Sequence, residues 1–196
     1  MGLQEEYSRY LVTTAEIAKL SIPIKTHKPN DNYPGRSVAN QIDDPTYKVC
    51  KELQKIIHPL ALNAKSYIKD SYHFQQRLKE IVIEEHFIQL SFDVRSLFPS
   101  VPVKQTLSLV QGKLQRDKTL KDRTKWKPKQ ITNLLQICTE ETHFMDYRGK
   151  IWTQTDGTAI GKSISGDLAG IYMEFYKNEY VFDPSKNSFI PVNILG

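Results

Sequence analysis

FIQLSFDVRSLFPSVP, Phe87 to Pro102, is the stretch on which the reading of the fold turns. Ile88, Leu90, Phe92 and Val94 alternate with Gln89, Ser91 and Asp93, the period of a β-strand. Asp93 falls near the strand's end, opposite Leu90 and Phe92, and a turn, Ser96 to Pro99, follows at once. A strand end is rigid, and a carboxylate there can hold a divalent cation in fixed geometry. An aspartate that caps the turn gives the same pattern, and spacing alone leaves both roles open.

Downstream, Pro102 opens a helix carrying Val103, Leu107, Val110 and Leu114. A basic, polar connection from Gln115 to Lys127 leads to Pro128, which opens another with Ile131, Leu134, Leu135 and Cys138. His143 to Gln154 reads as an aromatic-rich hairpin around Arg148-Gly149. Thr155 to Gly166 is a glycine-bearing loop into a last helix with Leu168, Ile171, Tyr172 and Phe175 on one side. Phe189 to Leu195 reads as the start of a strand.

Upstream, Glu5 to Leu20 reads as a helix, and the proline-bearing segment Ser21 to Ala39, with its Pro34-Gly35 turn, as extended or looped. Asp44 and Pro45 form a helix start, followed by one stripe of Val49, Leu53, Ile56 and Leu60. Pro59 should kink or end that helix, and a short one should begin after Asp70 or Ser71 with Phe74 and Leu78 inward. Helices and strands alternate without a βαβ rhythm, so the fold class is α+β.

Composition narrows the functional classes. Of 196 residues 39% are apolar and 25% charged, ordinary for a globular chain. No apolar run approaches the ~20 residues of a membrane span, and the N-terminus lacks a signal layout. Met1-Gly2 invites a myristoylation reading, which Glu6 in place of Ser or Thr rejects. Cys50 and Cys138 are the two cysteines, each in an apolar helical pattern, and the five histidines do not pair at metal-ligand spacing. A reduced, intracellular chain is expected, with nucleus and cytoplasm not distinguished. Lys plus Arg exceed Asp plus Glu, 27 to 22, a surplus that weakly favours a polyanionic partner.

SFDVRSLFPSVP, Ser91 to Pro102, resembles the first catalytic motif of reverse transcriptases, in the version carried by Penelope-like retroelements. IPIKTHKP (Ile22 to Pro29) with PGR (Pro34 to Arg36) resembles that family's fingers motif. SYIKDSYHF (Ser66 to Phe74) resembles its next block. QTDGTAIGKSISGDLAGIYMEFY (Gln154 to Tyr176) resembles its palm motif with Q-x-x-G and G-x-S elements. The blocks stand in the family's order over most of the chain.

The resemblance implies a truncated right-hand polymerase, with fingers over residues 1–86 and a partial palm over 87–196. The implied activity is RNA-directed DNA synthesis, adding deoxynucleoside triphosphates to a DNA primer on an RNA template. Two magnesium ions serve that chemistry in a complete enzyme. Asp93 would be the catalytic carboxylate and metal ligand, aided by the Val94 carbonyl. Phe98 would exclude a ribose 2′-hydroxyl, and Lys25, Lys28 and Arg36 would clamp the triphosphate. Gln154, Gly157 and Gly161 would contact the nucleotide, glycine admitting close backbone approach. Each has a plainer role beside it: a core phenylalanine, solvated surface charges, a connection needing glycine for shape.

Two departures stand out. The family commonly places prolines where Ile164 and Gly166 stand, and Lys162 precedes Ser163 here. The family's aromatic-x-Asp-Asp motif is absent; Asp43-Asp44 is the only such pair, lies before Asp93, and reads as a cap. With one carboxylate of the trio, the chain is not expected to catalyse. A non-catalytic retroelement remnant that at most binds nucleic acid shares every motif. A remoter alternative is a P-loop nucleotide hydrolase, because DGTAIGKS (Asp156 to Ser163) is close to G-x-x-x-x-G-K-[ST]. There an acid replaces the first glycine, and the Asp-bearing strand comes before the loop.

Overall fold

Helix α1, Tyr47–Leu62, buries Cys50, Leu53, Ile56, Ile57 and Leu60 on one side, the stripe that its spacing demands. The computed structural model describes residues 10, 12–64, 66–82, 85, 91–140, 142–183 and 185. The helix starts two residues later than the Asp44-Pro45 signal implies: Thr46 is its N-cap, without a side-chain capping bond, and the Asp44 carboxylate instead accepts the Thr46 N–H at 2.8 Å in the turn that precedes the helix. Pro59 lies inside α1, and the helix ends three residues on, at Leu62. Proline deletes one backbone donor, and the helix closes within its next turn.

Helix α2, Ser71–Lys79, starts where expected: the Asp70 carboxylate accepts the His73 N–H at 2.8 Å. Its face is not buried as expected. Phe74 and Leu78 are 39% and 40% exposed, because the periodicity defines a stripe without supplying a partner for it. After a short turn α3, Leu97–Ser100, come α4, Val103–Arg116, the turn α5, Leu120–Arg123, and α6, Pro128–Glu140. Helix α7, Ser165–Tyr176, continues as a π-helical turn, Lys177–Val181.

One core joins α1, α4, α6 and α7 through Leu53, Ile57, Val110, Leu114, Ile131, Leu135, Leu168 and Ile171. Each such side chain contributes roughly 1.5–3 kcal/mol by leaving water. The core therefore crosses residue 86, the expected limit of the fingers. None of the described helices is long and apolar enough to cross a membrane.

A four-stranded sheet of order β2-β1-β3-β4 lies beside the helices. Its strands are β1, Ala18–Ser21, β2, Val38–Asn40, β3, His143–Met145, and β4, Ile151–Thr153. β1 runs antiparallel to β2 and parallel to β3, and β3 and β4 form the expected hairpin, with Gly149 at φ 80° in its turn.

The sheet corrects the reading at both ends of the motif. The helix expected over Glu5 to Leu20 is not formed over residues 12–20, whose last three residues instead enter β1; residues 1–9 and 11 lie outside the described residues. Pairing of β1 with two neighbours satisfies its backbone and overrides the local helical preference. Of the strand expected over Ile88 to Val94, residues 88–90 lie outside the described residues, and 91–94 have no regular structure. Phe92 is 87% exposed rather than buried. Alternation makes a strand only where a neighbour takes its backbone groups, and among the described residues none does so for 91–94. The strand expected at Phe189 to Leu195 lies outside the described residues.

Candidate functional site

Asp93 and Val94 lie in open chain and are both exposed. Among the described residues no three His, Cys, Asp or Glu side chains gather where an ion could be held. Three residues after Asp93, Ser96 takes φ 56° and ψ 46°, a left-handed conformation. For a residue with a Cβ that costs of order 1 kcal/mol or more, and it reverses the chain between Asp93 and Phe98.

Phe98 is half-buried on α3, and its carbonyl anchors the glycine loop. The Thr158 N–H donates to the Phe98 carbonyl oxygen at 2.9 Å, and the Thr158 hydroxyl reaches the same atom at 3.4 Å. Gly157, at φ 71°, packs on Pro99 so closely that an added Cβ would lie 2.4 Å from the Pro99 carbonyl oxygen. Gly161, at φ 119°, leaves even less room, 2.0 Å to the Ala39 oxygen. Next to it, the Ala39 N–H donates to the Ile160 carbonyl at 2.9 Å. Both glycines are thus required by the chain's approach to itself. The loop is fixed on one side to the turn of the first motif and on the other to β2.

Gln154 is half-buried; its N–H donates to the Thr142 carbonyl at 3.0 Å and its side-chain amide to the Asp156 carbonyl at 2.8 Å. It extends β4 by one residue and leads into the loop.

Lys25, Lys28 and Arg36 sit on a hairpin-like excursion. The Lys25 N–H donates to the Pro34 carbonyl and the Arg36 N–H to the Pro23 carbonyl, each at 3.0 Å, around the Ile24–Gly35 bridge. Lys28 and Arg36 are exposed and Lys25 is half-buried. The excursion returns through β2, which joins the loop at Ala39. No described contact brings Asp93 or these three cations onto Phe98 or the loop.

Lys162 has a different occupation from a phosphate-binding lysine. It is 6% exposed, and its ammonium donates to the Cys138 carbonyl in the last turn of α6, where helix carbonyls lack partners. Cys50 and Cys138, distant in sequence, meet there as buried free thiols. A shared hydrogen bond with Cys50, and then burial, push the Cys138 thiol up. The sequence offered no signal for this meeting beyond two cysteines on inward helix faces.

It also left unread the tip of the β3–β4 hairpin, where Asp146 organises the turn. Its carboxylate accepts the Arg148 and Lys150 N–H groups at 2.9 and 3.0 Å and the Trp152 indole N–H at 3.0 Å. An Asp two residues before the turn glycine's neighbour is a recognisable signal for such a turn. No protein-family model matches this chain, and no curated protein is similar to it.

Proposed function

We propose that the chain is part of an RNA-directed DNA polymerase of a retroelement, comprising the fingers and the nucleotide-facing side of the palm. One observation carries the reading. Two motif blocks some sixty residues apart meet directly, through the Thr158 N–H on the Phe98 carbonyl, and the strand leaving the fingers block joins the same loop. In this reading the half-buried Phe98 ring serves as the floor beneath the sugar of a nucleotide bound at that loop. A ring there gives a 2′-hydroxyl neither room nor a partner, a penalty of about 1–3 kcal/mol. Lys28 and Arg36, exposed on the excursion before β2, are free to close on phosphate oxygens.

In a complete enzyme magnesium would supply charge neutralisation at the attacking and leaving oxygens. Asp93 belongs to no group of three or more His, Cys, Asp or Glu side chains among the described residues, so these do not supply the ligands such ions need. The residues of this chain bind and orient; catalysis is not assigned to them. The lack of such a group among the described residues favours a second reading, a non-catalytic remnant that retains nucleic-acid binding alone.

Equilibrium binding of fluorescent deoxynucleoside and ribonucleoside triphosphates tests the proposal. The parent chain is expected to prefer the deoxy form, and Phe98→Ala to reduce that preference roughly ten-fold. Lys28→Ala with Arg36→Ala should weaken both ligands alike. No deoxy preference in the parent chain, or one that Phe98→Ala leaves untouched, overturns the reading. Primer extension by the 196-residue chain is expected to be nil.

A further inference from the structure

We infer that the β3–β4 hairpin is a stacking platform for an unpaired base of single-stranded nucleic acid, with Trp152 as the ring and Arg148 and Lys150 as its phosphate contacts. The inference rests on the reading above for its choice of ligand, and its geometry stands apart from Phe98 and Asp93.

Trp152 is 45% exposed on an edge strand, and Tyr147 at the tip is 85% exposed. A large ring left in water is usually mobile; this one is held. Its indole N–H is bonded to Asp146 at 3.0 Å, so the ring has no unmet donor. The Lys150 ammonium lies over the face of this ring, 4.1 Å from its centroid, and the Arg148 guanidinium lies over that of Tyr147 at 5.1 Å. The bond from Trp152, followed by those from the Lys150 and Arg148 amides, outweighs desolvation and holds the Asp146 carboxyl below the usual carboxylate range. The ring is therefore fixed over the whole neutral range. Pre-set orientation removes much of the ordering cost of binding.

Strand register says which way the ring faces. Lys150, Trp152 and Gln154 alternate onto one side of β4, and Trp152 stands opposite Phe144, which is itself paired with Ala18. Ala18 is buried, so Trp152 lies on the sheet side turned toward the body of the molecule, at its open edge. One strand position separates it from Gln154, where the glycine loop begins. A base on Trp152 would thus belong to the strand entering that loop.

A base that takes the place of the Lys150 ammonium on the Trp152 face leaves that long, flexible side chain to meet the phosphate, which is the recognition chemistry of single-stranded nucleic acid: stacking accepts any base, and charge follows the backbone. A duplex hides its base faces, and an acidic peptide or sulfated polymer offers charge without rings.

The test uses the 196-residue chain carrying Trp126→Phe, so that Trp152 is the sole tryptophan. Its fluorescence is followed while oligo-dT, a duplex of equal length, or heparin is added. Oligo-dT is expected to quench Trp152 and, followed by the anisotropy of a fluorescein label on the oligonucleotide, to bind roughly ten-fold more weakly to Trp152→Ala, with Trp152→Tyr restoring most of the loss. Asp146→Ala separates stacking from charge. Removing an acid strengthens a purely electrostatic contact, whereas freeing the ring weakens a stacked one, and weakening is expected. Heparin that quenches and binds as oligo-dT does, a Trp152→Ala chain that binds oligo-dT like its parent, or tighter binding by Asp146→Ala overturns the inference. Because none of these readouts involves Phe98, failure here and loss of the deoxynucleotide preference are told apart.

Discussion

A methyl group at Gly161 would sit 2.0 Å from the Ala39 carbonyl oxygen, on a residue at φ 119°. Gly149, at φ 80°, has nothing within 4 Å of the same added carbon. The pair separates backbone strain from steric exclusion. Gly149→Ala should cost about 1 kcal/mol, the ordinary charge for a left-handed residue with a Cβ. Gly161→Ala should cost at least ~3 kcal/mol, since a backbone oxygen must also move. Urea unfolding midpoints measure both, and equal costs would remove the proposed contact between loop and β2. Lys162 gives a second prediction at this scale. Lys162→Met should lower stability by ~1–3 kcal/mol, because the Cys138 carbonyl loses its donor in a buried site. Nucleotide affinity should be unchanged; a severe loss of affinity in a chain that still folds would favour the P-loop alternative.

Between α4 and α6 the chain turns on Asp117. Its carboxylate accepts the Thr119 N–H and hydroxyl, both at 2.8 Å, and pairs with Arg123 across the turn α5. Desolvation alone would raise this carboxyl, but the bonds from Arg123 and Thr119 outweigh it and hold it below the usual carboxylate range. A depressed folded value stabilises the protein above the unfolded pKa of about 3.9, and that contribution is lost as pH falls through the folded value. The melting temperature of the parent chain should therefore exceed that of Asp117→Asn at neutral pH, and the gap should close in the acid range below ~4. A gap that persists unchanged into strong acid would mean that the ionised carboxylate contributes nothing. The α2 face with Phe74 and Leu78 shows the limit of reasoning from one element. An amphipathic stripe identifies what can be buried, while burial itself needs a second surface.

At the scale of the molecule, α1 from the first 86 residues shares a single core with α4, α6 and α7 from the rest of the chain. β1 and β3 join the two halves again through the sheet. Elements that share one core unfold together. Thermal unfolding followed by far-ultraviolet dichroism and by the fluorescence of Trp126 and Trp152 should give coincident transitions. Two separated transitions would show that the halves are independent domains.

The helices were written in the sequence because their information is local. Pro102 and Pro128 start α4 and α6, Asp70 caps α2, and the apolar stripe of α1 repeats at helical spacing. The meeting of Phe98 with Thr158, of Gly161 with Ala39 and of Cys50 with Cys138 was decided only by tertiary structure. So was the conversion of Ala18–Ser21 to a strand. Residues far apart in the chain leave no periodic trace of each other. A strand's backbone is satisfied by partners that the strand's own residues do not name.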